Sequence, residues 1–182
     1  HNRCRRQRQM CIRDRNRTHI LINLDEQTLL LKTRNKEKIF PISSSAYGIG
    51  NIKNSFKTPL GAHVISEKIG NRVPKGAIFK GRIWTNEIAK IEEEPIDIPE
   101  DVITSRILWL DGLEENRNRG GIVDSKSRYI YIHGTAEEGL IGKPASLGCI
   151  RMLNDDVIEI FKKVRVGTQV LIFTNKEPYK TL

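Results

Sequence analysis

The 182-residue sequence lacks the marks of several specialised classes. Three cysteines exclude a disulfide-rich scaffold, and glycine and proline fall far below collagen-like levels. The four histidines are scattered and no H-E-x-x-H occurs, so no metal is expected. No G-x-S-x-G elbow is present. Gly48-Ile49-Gly50 starts like a dinucleotide loop, but Lys53 stands where the third glycine should be, so no cofactor is implied. No run approaches the ~20 apolar residues that a membrane-spanning helix needs. A chain of this length reads as one soluble domain whose core needs no metal or disulfide staple.

The net charge of +9 is unevenly spread. Residues 1–17 carry seven Arg and one Asp, and the remainder holds 24 basic against 21 acidic residues. The excess therefore belongs mostly to an arm with little apolar content. Met10-Cys11-Ile12-Arg13-Asp14-Arg15 can be encoded by ATGTGTATAAGAGACAGG, which resembles a transposon end used to prepare sequencing libraries. The arm is thus expected to be non-native or disordered, the native start and any signal sequence to be missing, and nucleic acid not to be a partner. With Cys4 and Cys11 in the arm, Cys149 is the one cysteine of the remaining chain.

From Thr18 onward the pattern is mainly β, with one or two helices. His19–Leu24 and Thr28–Lys32 read as strands joined by a tight turn, Lys38–Ser43 as an edge strand, and Ala62–Ser66 as a fourth. His63, inside that fourth strand, is assigned a structural role. Residues 67–128 lack clear periodicity and read as an insertion or lid. Their acidic residues (Glu92, Glu93, Glu94, Asp97, Glu100 and Asp101) read as a solvated loop, and Trp84 and Trp109 as core. Tyr129–Ile132 reads as a short apolar strand ending at His133-Gly134. Asn154 is placed as the N-cap of a helix whose apolar face is Val157, Ile158, Phe161 and Val164, with Gly167 as its stop. Thr168–Phe173 closes the domain as a last strand.

His133 and Cys149 stand out chemically. A thiol with an ordinary pKa is only a few per cent thiolate at neutral pH, and a nearby imidazole accepts its proton. Gly148 permits backbone N–H groups to approach a substrate, as an oxyanion hole requires. Spacing alone favours a buried structural cysteine and an unrelated histidine over a catalytic pair.

The segment Ile132-His133-Gly134-Thr135, followed after a loop by Ser146-Leu147-Gly148-Cys149-Ile150-Arg151, resembles the catalytic signature of the L,D-transpeptidases, cysteine enzymes of bacterial peptidoglycan. Ile22-Asn23-Leu24 to Gln27-Thr28-Leu29 is similar to the family's opening hairpin, and Thr58-Pro59-Leu60-Gly61 to its Thr-Pro-x-Gly turn. The resemblance runs from Thr18 to Thr174. Many members have His directly before the Gly-Cys pair, where this chain has Leu147.

The resemblance implies a β-sandwich-like catalytic domain with a mixed sheet. It makes Cys149 the nucleophile, His133 the general base and later acid, and the Gly134 carbonyl the group that orients the imidazole. Backbone N–H groups at Leu147, Gly148 and Cys149 would form the oxyanion hole. Ser146 and Arg151 would support the cleft, and Arg151 would also meet a substrate carboxylate. The implied partners are peptidoglycan stem peptides, with an envelope lipoprotein as an alternative acceptor. The implied reaction releases D-Ala from a tetrapeptide stem and passes the acyl group to an amine. Hydrolysis by an L,D-carboxypeptidase and a silent wall-binding module are the alternatives. Carbapenem acylation and a periplasmic or otherwise extracytoplasmic location follow from the same resemblance.

Overall fold

The computed structural model describes residues 18–99 and 102–177. The basic arm, Glu100 and Asp101 lie outside the described residues. The elements in chain order are β1 (His19–Asn23), β2 (Thr28–Lys32), β3 (Glu37–Pro41), β4 (Gly61–Ile69), β5 (Ala77–Lys80), β6 (Ile83–Ile88), β7 (Ile103–Gly112), β8 (Tyr131–Thr135), β9 (Ile150–Met152), α1 (Asn154–Lys163) and β10 (Gln169–Phe173). Backbone pairing links the strands in the order β3-β2-β1-β10-β4-β7-β5-β6, with β8 on β7 and β9 on β8. The sheet is mixed: β1 with β10 and β8 with β9 run parallel, and the other neighbours run antiparallel.

Alternation of apolar residues makes the sheet curl around one core. Ile20 and Ile22 of β1, Leu29 and Leu31 of β2, Ile132 of β8 and Ile150 of β9 all turn inward to meet Val157, Ile160 and Phe161 of α1. The curl is completed where Ser43, just past β3, exchanges two N–H···O bonds of 2.8 Å with Arg151 of β9. The expected mainly β architecture is therefore present as one mixed, curled sheet with a single α-helix among the described residues.

Three local expectations need correction. Residues 67–128 supply β5, β6 and β7, and β7 is the longest of the described strands. It carries β8 on one edge while β4 and β5 share the other. The strand read as Tyr129–Ile132 begins at Tyr131 and continues through His133 and Gly134, because Ile107 and Thr104 of β7 are there to pair with them. Asn154 is not a cap: Leu153 holds that position without a side-chain bond, and Asn154 is the first helical residue with its side chain buried elsewhere.

Candidate active site

Residues 129–133 alternate Tyr-Ile-Tyr-Ile-His, and the alternation sorts them by face. Ile130 and Ile132 enter the main core, whereas Tyr131 joins a second cluster with Ala77, Phe79 and Ile107. His133 falls on the face of Tyr131 and is buried, at 2% exposure. Its Nδ1 lies 2.7 Å from the Gly134 carbonyl oxygen. A carbonyl only accepts, so Nδ1 carries the hydrogen and a neutral ring keeps Nε2 as its basic nitrogen.

The parallel pairing Ile132↔Ile150 sets Cys149 opposite Tyr131, on the same face as His133. Its Sγ donates to the Tyr129 carbonyl at 3.3 Å and accepts the Tyr131 N–H at 3.4 Å. Cys149 is half-buried against the second cluster. The preceding loop is tightly held. Ser146 Oγ donates to the Cys149 carbonyl at 2.6 Å and accepts the Gly148 N–H at 3.2 Å, while Thr58 Oγ1 donates to the Gly148 carbonyl at 3.0 Å. Gly148 has φ +123, a conformation open to glycine and costly for a side chain. Its N–H is thus already engaged with Ser146, and the Leu147 side chain points outward at 52% exposure.

Gly134 is required by its neighbours. A Cβ there would stand 2.6 Å from Asn154 Oδ1 and 2.8 Å from the Thr104 carbonyl oxygen. Asn154 is a buried hub: its Oδ1 accepts from Thr104 and Ser105, and its Nδ2 donates to the Thr135 carbonyl and Glu138. Arg151 is 1% exposed, pairs with buried Glu137, and donates to Thr135 Oγ1 and the Ala145 carbonyl. The expected contact with a substrate carboxylate is ruled out by this burial.

An open cleft of about 430 Å³ lies beside this face, lined by Trp109, Asp111, Arg119, Asp124, Lys126, Ser127 and Tyr129. Trp109, expected in the core, is one of its walls. Trp84 is half-buried against the second cluster. Among the described residues no group of three or more His, Cys, Asp or Glu side chains is arranged to hold a metal, and no helix is long and apolar enough to cross a membrane.

A family model described as YkuD, the L,D-transpeptidase catalytic domain, matches residues 17–172. The chain belongs to this family. It is 28% identical over 170 residues to the "Probable L,D-transpeptidase YcfS" of Escherichia coli K12, covering 90% of this chain and 46% of that protein. The chain spans less than half the length of the curated relatives it matches first. The crystal structure of an L,D-transpeptidase from Xylanimonas cellulosilytica aligns with a TM-score of 0.54 at 18% identity, covering 88% of this chain and 62% of that one. L,D-transpeptidase 3 from Mycobacterium tuberculosis, solved with a faropenem-derived adduct, aligns at 0.53 and 14%, covering 85% and 59%. At these identities the two structures show the shared fold.

This L,D-transpeptidase domain also uses residues that the sequence reading passed over. Tyr129 and Tyr131 hold the thiol through backbone atoms, and Tyr129 adopts φ 57 in doing so. The Tyr-Ile-Tyr-Ile-His alternation was the available signal. Arg128, just before β8, ties that segment to the loop preceding β4 by donating to the Gly50 and Lys57 carbonyls. Asn154 and Glu137 had no signal, because their roles depend on strands distant in sequence.

Proposed function

We propose that the domain transfers acyl groups of peptidoglycan stem peptides through a thioester on Cys149. The observation that carries this reading is the clamped imidazole: His133 shares a face with the half-buried thiol, and Gly134 fixes its tautomer. That arrangement gives a thiol both an acceptor for its proton and a fixed ring to hold it.

In the first half-reaction Cys149 Sγ gives its proton to His133 Nε2 and attacks the carbonyl of the third stem residue, a diamino acid. Backbone N–H groups of residues 147–149 stabilise the oxyanion, with the Gly148 N–H exchanging Ser146 Oγ for the substrate oxygen. The C–N bond to D-Ala breaks, and its amine leaves with the proton from His133. In the second half-reaction an acceptor amine gives its proton to His133, forms the new amide and releases the thiolate. Stem peptides lie outside the cytoplasmic membrane, so the site of action is extracytoplasmic.

The test is mass spectrometry of a disaccharide-tetrapeptide incubated with the protein and with Cys149→Ala. Loss of D-Ala that depends on Cys149 supports the reading. A cross-linked dimer identifies amine transfer, and a tripeptide identifies hydrolysis. A lipoprotein with a free lysine, added as acceptor, distinguishes transfer to a protein. Unchanged muropeptide with folded protein sinks the proposal in favour of a silent wall-binding module.

A further inference from the structure

β5 and β6 form a hairpin whose two-residue turn, Gly81-Arg82, joins the paired residues Lys80 and Ile83. Both turn residues have positive φ, 55 and 69, as a type I′ turn requires. The second position favours glycine or asparagine, so an arginine there holds its backbone in an unfavourable region. The turn gains nothing from this side chain. Its placement is what distinguishes it.

The Arg82 guanidinium lies 4.6 Å from the centre of the Trp109 ring and 5.3 Å from that of Tyr129, and Nη1 donates to the Tyr131 hydroxyl at 3.2 Å. It thus rests on the aromatic wall of the cleft, and Tyr131 at its other end donates its N–H to Cys149 Sγ. The other cations of the cleft are answered by carboxylates: Lys126 by Glu67 and Arg119 by Glu115. Among the described residues no carboxylate lies within ion-pair distance of Arg82, Glu67 acting on it only from further off, and Arg82 makes one hydrogen bond of the five a guanidinium can donate. A stacked guanidinium keeps its edge available for a planar, two-oxygen acceptor.

We propose that Arg82 is a specificity-determining residue that binds the C-terminal carboxylate of the donor peptide. This rests on the acyl-transfer reading above. Tyr131 bridges the two groups, its hydroxyl accepting from the guanidinium and its N–H reaching the thiol, so one donor peptide can present its acyl carbonyl to Cys149 and the carboxylate of the residue that leaves to Arg82. Arg82 therefore selects donors ending in a free acid over donors ending in an amide, and over longer stems whose carboxylate lies further on.

The test compares a tetrapeptide donor as its C-terminal acid and as its C-terminal amide, with wild type, Arg82→Gly and Arg82→Lys. Glycine suits the turn, so Arg82→Gly melts no lower than wild type. Wild type prefers the acid by about tenfold or more in kcat/KM. Arg82→Gly loses that preference through a raised KM for the acid, and Arg82→Lys recovers part of it. A preference that survives in Arg82→Gly overturns the proposal. If wild type releases nothing from either peptide, the acyl-transfer reading fails instead. The role of Arg82 is then decided by alkylation of Cys149 with 4-(iodoacetamido)benzoate against its neutral benzamide. A benzoate-to-benzamide rate ratio several-fold higher in wild type than in Arg82→Gly supports an anion-binding Arg82, and equal ratios overturn it.

Discussion

The Nδ1 of His133 donates to the carbonyl of Gly134, the next residue in the same strand, at 2.7 Å. Imidazole and orienting group are thus delivered together by one strand, and no acidic residue is needed to fix the tautomer. The arrangement depends on close approach, because Gly134 pairs with Thr104 of β7 and abuts Asn154. Gly134→Ala is expected to lose about 1–3 kcal/mol of stability, the usual cost of overpacking a dense interior. It should also slow acylation of Cys149 by a carbapenem at temperatures where the variant is still folded. Urea unfolding and intact-mass detection of the Cys149 adduct read the two effects. A fully stable variant with wild-type acylation contradicts the claim that this glycine positions the base.

Arg151 and Glu137 are both almost completely buried and are paired with each other. Removing one charge strands the other in the interior. Arg151→Met is therefore expected to cost about 3–5 kcal/mol, and replacing both partners by apolar residues should recover much of that loss. Glu137 also accepts the Ile98 N–H, so the recovery is incomplete. Denaturant unfolding of the two single variants and the double variant gives the coupling. Simple additivity of the single losses would show that the pair does not act as a unit.

The strands of the domain could be read from the sequence where one face of the sheet is buried and the other is not. β2 and β10 follow that rule: the expected range of β2 is the observed one, and that of β10 begins one residue early. β7 was missed because Thr104 to Leu108 is buried on both faces, which erases a period of two. His133 and Cys149 were identifiable from residue type and family resemblance, since both lie in short local signatures. The cleft was not identifiable, because its wall joins Trp109 of β7 and Tyr129 of the following loop, with Arg82 of the hairpin stacked on both, through tertiary pairing alone. Nor could Asn154 be assigned correctly. Its type and position fit a helix cap, yet four polar groups inside the fold compete for its side chain and win.

Leu147 stands where many family members have histidine, and its side chain is 52% exposed. An exposed side chain that bonds to nothing in the loop contributes little to folding. Leu147→His is accordingly expected to change stability by no more than about 0.5 kcal/mol and to leave the Cys149 dependence of carbapenem acylation intact. Thermal unfolding and intact-mass kinetics check both parts. An acylation rate that rises by orders of magnitude would mean that this position acts in the chemistry and that the natural leucine attenuates it.

Lys68 reaches from β4 to the end of α1, where its Nζ donates to the carbonyls of Phe161 at 2.6 Å and Val164 at 2.7 Å. These are carbonyls that a helix terminus leaves without intrahelical partners. The ammonium also lies 4.3 Å from the centre of the Phe161 ring. Lys68→Met keeps the apolar stem but removes the donors, and about 1–2 kcal/mol of stability should go with them. Hydrogen exchange is the sharper measurement: protection should fall first at the last turn of α1, whereas an evenly weakened domain would argue against a local cap.

His63 supplies the pH dependence of folding. It is fully buried in β4, with Nδ1 2.9 Å from the Gly61 carbonyl and Nε2 3.0 Å from Ser125 Oγ. Burial is the dominant influence and lowers its pKa from 6.5 to about 4, against the smaller raising effect of the Gly61 carbonyl. Between those values the unfolded chain binds a proton that the folded protein refuses, so this contribution to stability is full above pH 6.5 and declines as the pH falls. It is lost through the folded pKa, and below about 4 both states are protonated and the loss levels off. The total is about 3 kcal/mol. His63→Gln retains hydrogen-bonding capacity without titrating, so its unfolding free energy should be flatter across that window. Urea titrations of both proteins between pH 4 and 7 measure the difference directly, and parallel curves would exclude His63 as the group responsible.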